Sequence, residues 1–299
     1  MAFKTVAILV PGEMGAAVGK AFHAGGVEVL GCLEGRSAAT RERAAAAGFR
    51  DAGSLEALLA EAEIVLSILP PESAPEMASH VAAAMKESGR TPPYADCNAV
   101  APETARAMQR VIEGAGAVYI DGGIVGNPPG GGPLATRFYV SGREAGLMDG
   151  LDGLGIDVRQ CGPEIGRGVA IKMCYAGITK GTSALHAAAL LAAESLGVAD
   201  ELHAELAASV PALYKRMESM VPKLPAVSAR YAGEMKEIAR TLESAGLTPD
   251  FHLGALALYR LLERTPFAAE RRDTVDPDRT LRQTLEVAAR SLPEKSAAE

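Results

Sequence analysis

The segment Pro11-Gly12-Glu13-Met14-Gly15 follows an uninterrupted apolar run, Thr5 to Val10, and opens a stretch of helical character from about Met14 to Ala24. A strand, a glycine turn and a helix in that order suit a dinucleotide. The glycines let the backbone approach a pyrophosphate, and the helix start offers N–H groups and the positive end of its dipole. Gly12 and Gly15, with Glu13 and Met14 between them, supply the G-x-x-G half of the usual fingerprint; Val10 stands where its first glycine would be. The position between strand and helix carries the reading more than the glycines do.

A second apolar stretch, Val27 to Leu33, ends at Glu34-Gly35-Arg36-Ser37. An acid at that point binds the ribose hydroxyls of NAD, and an arginine there accepts the 2′-phosphate of NADP. Glu34 serves the first reading. Arg36 and Ser37, joined by Arg41, serve the second, which we expect, with NAD as the alternative; Arg41 taken alone reads equally well as a solvated helix charge. The five histidines (His23, His80, His186, His203, His252) are scattered, and the four cysteines (Cys32, Cys97, Cys161, Cys174) show no metal-ligand spacing. We therefore expect no metal, core packing for His186, and reduced thiols in a cytoplasmic protein.

These residues need a scaffold, and the chain suggests one. Further apolar runs at Ile64–Leu69, Tyr94–Asn98, Ala117–Asp121 and Arg137–Ser141 alternate with helical stretches, as in a mainly parallel sheet built from βαβ units. After about Gly162 only Ala-, Leu- and Glu-rich helical segments follow, with breaks expected near Pro211, Pro222–Pro225, Pro249 and Pro277 and a frayed tail from Pro293. The expected organisation is an α/β Rossmann-like domain over residues 1–163 and an all-α domain over 164–299, with ligands in the cleft between them. At 299 residues there is room for both. The net charge of −7 and the 4 % aromatic content argue against nucleic-acid and membrane-surface partners, and no stretch is long and apolar enough to span a bilayer.

Four segments resemble the β-hydroxyacid dehydrogenase family: Gly12-Glu13-Met14-Gly15; Ile68-Leu69-Pro70; Asp121 to Gly132 (DGGIVGNPPGGG); and Gly166-Arg167-Gly168-Val169-Ala170-Ile171-Lys172, similar to the family's G-x-G-x-x-x-K. The resemblance implies a small-molecule substrate, a homodimer and a catalytic Lys172. Burial beside Ile171 and Met173 would lower its pKa toward that of a general base. Leu69, Pro70 and Asn98 would touch the cofactor, and Gly123, Ile124, Val125, Gly126 and Asn127, as a loop, the substrate. The family's serine is replaced by Val125 and its asparagine four residues after the lysine by Ala176. We expect a less polar substrate and a hydrogen-bonding role for Tyr175. Lys180, two turns along the same helix face, and Lys236 are candidate substrate ligands. The implied reaction is hydride transfer between NAD(P) and a 3-hydroxy acid or related carbonyl compound. Imine reduction and dinucleotide binding without turnover are the alternatives.

Overall fold

The computed structural model describes residues 3–271 and 274–292. The tail from Pro293, expected to fray, lies outside the described residues. The chain divides into two compact units between Tyr175 and Ala176.

The first unit alternates strands and helices: β1 (Thr5–Ile8), α1 (Glu13–Ala24), β2 (Glu28–Gly31), α2 (Ala38–Ala46), β3 (Phe49–Asp51), α3 (Leu55–Glu61), β4 (Ile64–Ser67), α4 (Ala74–Ser88), β5 (Tyr94–Asp96), α5 (Pro102–Glu113), β6 (Tyr119–Val125), β7 (Thr136–Ser141) and β8 (Ile156–Gln160). They form one sheet in the order β3-β2-β1-β4-β5-β6-β7-β8. The first six strands are parallel, in the order of a dinucleotide-binding fold; β7 runs antiparallel to β6, and β8 parallel to β7. The short central strands are buried on both faces, which explains their unbroken apolar sequence. One sheet face packs Val6, Ile8, Leu66, Ile120 and Phe138 with Val18 and Phe22 of α1. Gly15 and Gly19 allow that approach, because a Cβ on Gly15 would lie 2.8 Å from the Val10 carbonyl oxygen and one on Gly19 2.3 Å from the Phe49 ring.

The structure corrects the sequence reading in three places. Strands β3 and β8 were not expected. β3 has only three residues, and β8 (IDVRQ) grades from a buried Ile156 through half-buried to exposed residues, so neither carries a continuous apolar signal. Gly122 to Val125 are strand residues of β6 rather than loop; the loop begins at Gly126, where φ is +116°. Gly122 marks a close contact with Asp96 and Cys97 after the neighbouring strand, and Gly123 one with Gly168 and Lys172.

Among the described residues the last strand ends at Gln160, and a 30-residue helix, α6 (Arg167–Leu196), follows, with residues to Tyr175 in the first unit and from Ala176 in the second. The second unit continues with α7 (Ala199–Ser209), α8 (Pro211–Met220), α9 (Ser228–Ser244), α10 (Asp250–Leu262) and α11 (Leu281–Ala289). The prolines act as helix boundaries: Pro211 opens α8, Pro249 precedes α10, and Pro222 and Pro225 lie in single 3₁₀ turns. A capping box, Thr280 with Gln283, starts α11.

Candidate active site

In an open parallel sheet, ligands bind beyond the carboxyl ends of the strands. Gly12 to Gly15 lie beyond β1, Glu34 to Ser37 beyond β2, Leu69 and Pro70 beyond β4, and Asn98 beyond β5, while Gly123 and Val125 end β6. The structure thus assembles the sequence-predicted residues of the first unit along one sheet edge.

Gly12 caps α1 without a side-chain acceptor, and a Cβ built on it meets nothing within 4 Å. Its glycine is not demanded by the protein's own packing, unlike Gly15. It leaves open space beside helix donors that no side chain satisfies, which fits a bound pyrophosphate. At the end of β2, Glu34 is exposed and Arg36 half-buried, with its buried Nε lacking a partner. Arg41 Nε donates to the Arg36 carbonyl (3.2 Å), and Arg43 Nη1 to that of Pro11 (3.5 Å). Arg43 was missed in the sequence. It ties α2 to the turn that follows β1, and only a contact across 32 residues reveals this. Ser37 caps α2 by accepting from Thr40 N. The unsatisfied Arg36 donor and the open Gly12 turn fit a phosphorylated dinucleotide.

Asn98 is 2 % exposed and spends its amide inside the protein. Its Oδ1 accepts from Leu69 N (2.6 Å), and its Nδ2 donates to Ser67 Oγ (2.9 Å) and Asp96 Oδ1 (2.5 Å). The geometry makes Asn98 a brace for the Leu69–Pro70 loop rather than a side-chain ligand. Burial pushes Asp96 up to about 7, neighbouring Asp121 adding to the rise and the Asn98 amide opposing it.

Asp121 is the second residue the sequence reading left without a role. It is fully buried on β6, paired in register with Asp96 on one side and Ser141 on the other. Its Oδ2 accepts from Ser141 Oγ (2.7 Å), Gly166 N (3.1 Å) and Val169 N (3.2 Å), while Gly168 N donates to Ser141 Oγ (3.1 Å). A carboxylate and a hydroxyl from two strands thereby cap the start of α6 in place of a residue next to it in sequence. Burial raises the Asp121 pKa, and the Ser141 hydroxyl and three backbone N–H groups oppose the rise.

The cap holds α6 hard against the sheet. A Cβ on Gly168 would lie 2.5 Å from the Tyr139 carbonyl oxygen, and one on Gly123 would lie 2.7 Å from Lys172 Cβ. The half-buried stem of Lys172 therefore rests on Gly123, at the ligand edge of β6. Tyr175, one turn further, is 46 % exposed.

The remaining substrate-loop expectations need correction. Ile124 points into the core on the α1 face, against Phe138, so its side chain is unavailable to a ligand. Val125 is 3 % exposed and offers little apolar wall, which removes the basis for a less polar substrate. Gly126 and Asn127 are exposed in the turn after β6, and the Asn127 carbonyl accepts from Thr136 Oγ1 (2.6 Å).

Lys180 and Lys236 belong to the second unit. Lys180 forms an ion pair with Glu234 on α9, and its Nζ lies 4.4 Å from the Tyr231 ring centroid. With its charge matched by a buried carboxylate, it is a structural ion pair rather than the substrate ligand that its position on α6 suggested. Lys236 sits on the exposed face of α9, between buried Glu234 and Glu237. His186 is buried, as a packing role requires.

Residues 5–148 match the family described as the NAD binding domain of 6-phosphogluconate dehydrogenase, and residues 193–262 a domain of unknown function, DUF1932. A solved conserved protein of unknown function, reported as structurally similar to 3-hydroxyacid dehydrogenases, aligns with TM-score 0.65 and 27 % identity over 87 % of this chain and 96 % of its own. Residues 5–148 belong to that NAD-binding-domain family, and the chain as a whole is similar to the β-hydroxyacid dehydrogenases. The 3-hydroxyisobutyrate dehydrogenase of Mycobacterium tuberculosis shares its fold, with TM-score 0.67 and 23 % identity over 91 % of this chain and 98 % of that one. An uncharacterized 28.5 kDa protein of Methanothermus fervidus is 27 % identical over 178 residues, 59 % of this chain and 66 % of that protein. The chain therefore carries a dinucleotide-binding domain on a Rossmann-like sheet, followed by helices. Among the described residues no helix is long and apolar enough to cross a membrane.

Proposed function

We propose that the protein is an NADP(H)-dependent oxidoreductase that interconverts a small hydroxy acid, or a related hydroxyl compound, with its carbonyl partner. The carrying observation is Lys172 on Gly123: a lysine stem fixed against the ligand edge of the sheet by the Asp121–Ser141 cap. When bound, the nicotinamide accepts or returns the hydride. The Gly12 turn and the first turn of α1 would hold the pyrophosphate, Arg36 with Ser37 and Arg43 would hold the 2′-phosphate, and the Asn98-braced Leu69–Pro70 loop would support the ring. The neutral amine of Lys172 takes the hydroxyl proton in oxidation; as ammonium it gives a proton to the carbonyl oxygen in reduction. Tyr175, at i+3 from the lysine, supplies a hydroxyl on the same side of the helix.

Imine reduction would use the same scaffold. The retained lysine favours hydroxyl chemistry, and it also separates turnover from dinucleotide binding alone. The test is NADP⁺ reduction across a panel of 3-hydroxy acids. Lys172→Ala should lower kcat by about 10²- to 10⁴-fold with NADPH affinity retained. A Lys172→Ala protein as active as wild type would overturn the assignment.

We further propose a cytoplasmic homodimer. Four free cysteines suit a reducing compartment, and exposed Ile178, Leu185 and Phe251 supply apolar surface on the helical unit for a second copy. Light scattering that gives a monomer mass at micromolar concentration would contradict the dimer.

A further inference from the structure

Resting on the hydride-transfer reading, we propose that Arg137 is the residue that anchors the substrate's oxyanion. It is the second residue of β7, whose antiparallel course brings its start to the same sheet edge as the end of β6. Arg137 pairs in register with Val125, and Tyr139 with Gly123. Paired residues project to the same face, so Arg137 shares the face on which Gly123 meets Lys172. Two residues of strand separate the Arg137 row from the Gly123 row, about 7 Å at the usual rise. That is a fitting span for a molecule with its reacting carbon at one row and an anion at the other.

The guanidinium is held toward the ligand edge. Its Nη2 lies 3.2 Å from where a Cβ on Gly126 would stand, so it lies against the turn that follows β6. Arg137 is half-buried, and its side chain has no hydrogen-bond or ion-pair partner among the described residues. Arg159 on the neighbouring strand differs: it pairs with Asp157 and donates to the Tyr139 hydroxyl. None of its nitrogens is buried, so a ligand entering from solvent can reach the unpaired cation. A guanidinium presents parallel N–H donors that match a carboxylate or a phosphonate. Neither oxyanion depends on the serine that Val125 replaces.

The test is calorimetric titration of the NADPH-loaded protein with 3-hydroxypropanoate, 3-hydroxypropylphosphonate and neutral 3-hydroxypropanamide. The wild type should bind at least one anion about tenfold or more tighter than the amide, a charge-assisted bidentate contact being strong. Arg137→Ala should erase the preference, Arg137→Lys should keep part of it, and both should hold NADPH and unfold at the wild-type temperature. Which anion wins separates a carboxylate from a phosphonate substrate. The proposal is overturned if the wild type does not prefer either anion, if the preference survives Arg137→Ala, or if the variant instead loses NADPH affinity. Failure of the wild type to bind NADPH would remove the hydride-transfer reading and this one with it; failure of the anion preference alone leaves that reading standing.

Discussion

Two glycines of the site are glycines for opposite reasons, and they can be told apart by substitution. Gly12 has a φ of −67°, which any residue adopts, and open space around it. Gly12→Ala should leave the unfolding temperature unchanged and weaken NADPH binding about tenfold or more, since the added methyl stands where the pyrophosphate must approach. Gly123 is packed on both the Gly168 carbonyl and Lys172 Cβ, each 2.7 Å from an added Cβ. Gly123→Ala should cost roughly 1–3 kcal/mol by displacing α6, seen in chemical denaturation. Equal effects of the two substitutions on stability would contradict the assignment. The sequence shows both glycines, yet the difference between them lies in contacts 45 or more positions away. For the same reason Arg137 and Arg43 read as ordinary charges until the strand register and the turn are known.

At the level of elements, α6 depends on a cap that is remote in sequence. Asp121→Ala removes the acceptor of two backbone donors and one hydroxyl, and should destabilise the chain by about 2–4 kcal/mol. Asp121→Asn should cost less than half as much, because the amide oxygen can take the place of Oδ2. Thermal unfolding of the two variants checks the order, and equal losses would show that Asp121 does not cap α6. The start of α6 was legible in Gly166 to Lys172, but not its cap, because helix-start signals normally lie within a few residues of the helix. The central strands β1 and β4 were legible because burial on both faces leaves them almost wholly apolar. β3 and β8 were not, being short or half-exposed at the sheet's outer edge. The GGIV segment read as loop because its glycines serve close contacts, Gly122 with Asp96 and Cys97 and Gly123 with α6, rather than a turn.

The whole molecule carries a buried acid whose proton is coupled to folding. Asp96 rises from 3.8 to about 7, so the folded chain holds that proton more tightly than the unfolded chain. The stability this contributes is complete below about pH 4 and is lost progressively as pH rises toward 7. Asp96→Asn keeps the neutral form at every pH and can still accept from Asn98 Nδ2. Its stability should therefore gain on the wild type between pH 4 and 7, by on the order of 2–4 kcal/mol, and hold that lead above 7. Urea denaturation at several pH values reads this out, and a pH-independent difference would contradict it. The division of the chain into a sheet unit and a helical unit follows from the change in hydrophobic period near residue 162. The Lys180–Glu234 pair of the helical unit does not, since it joins α6 to α9 across 54 residues.

The most direct test of the account is fluorescence titration of the purified protein with NADPH and NADH, repeated on Arg36→Ala. The account predicts that NADPH binds at least about tenfold tighter than NADH, a difference of roughly 1.4 kcal/mol, and that Arg36→Ala brings the two affinities together. Tighter binding of NADH would make Glu34 the ribose ligand and contradict the cofactor assignment. Binding of neither would contradict the dinucleotide site itself.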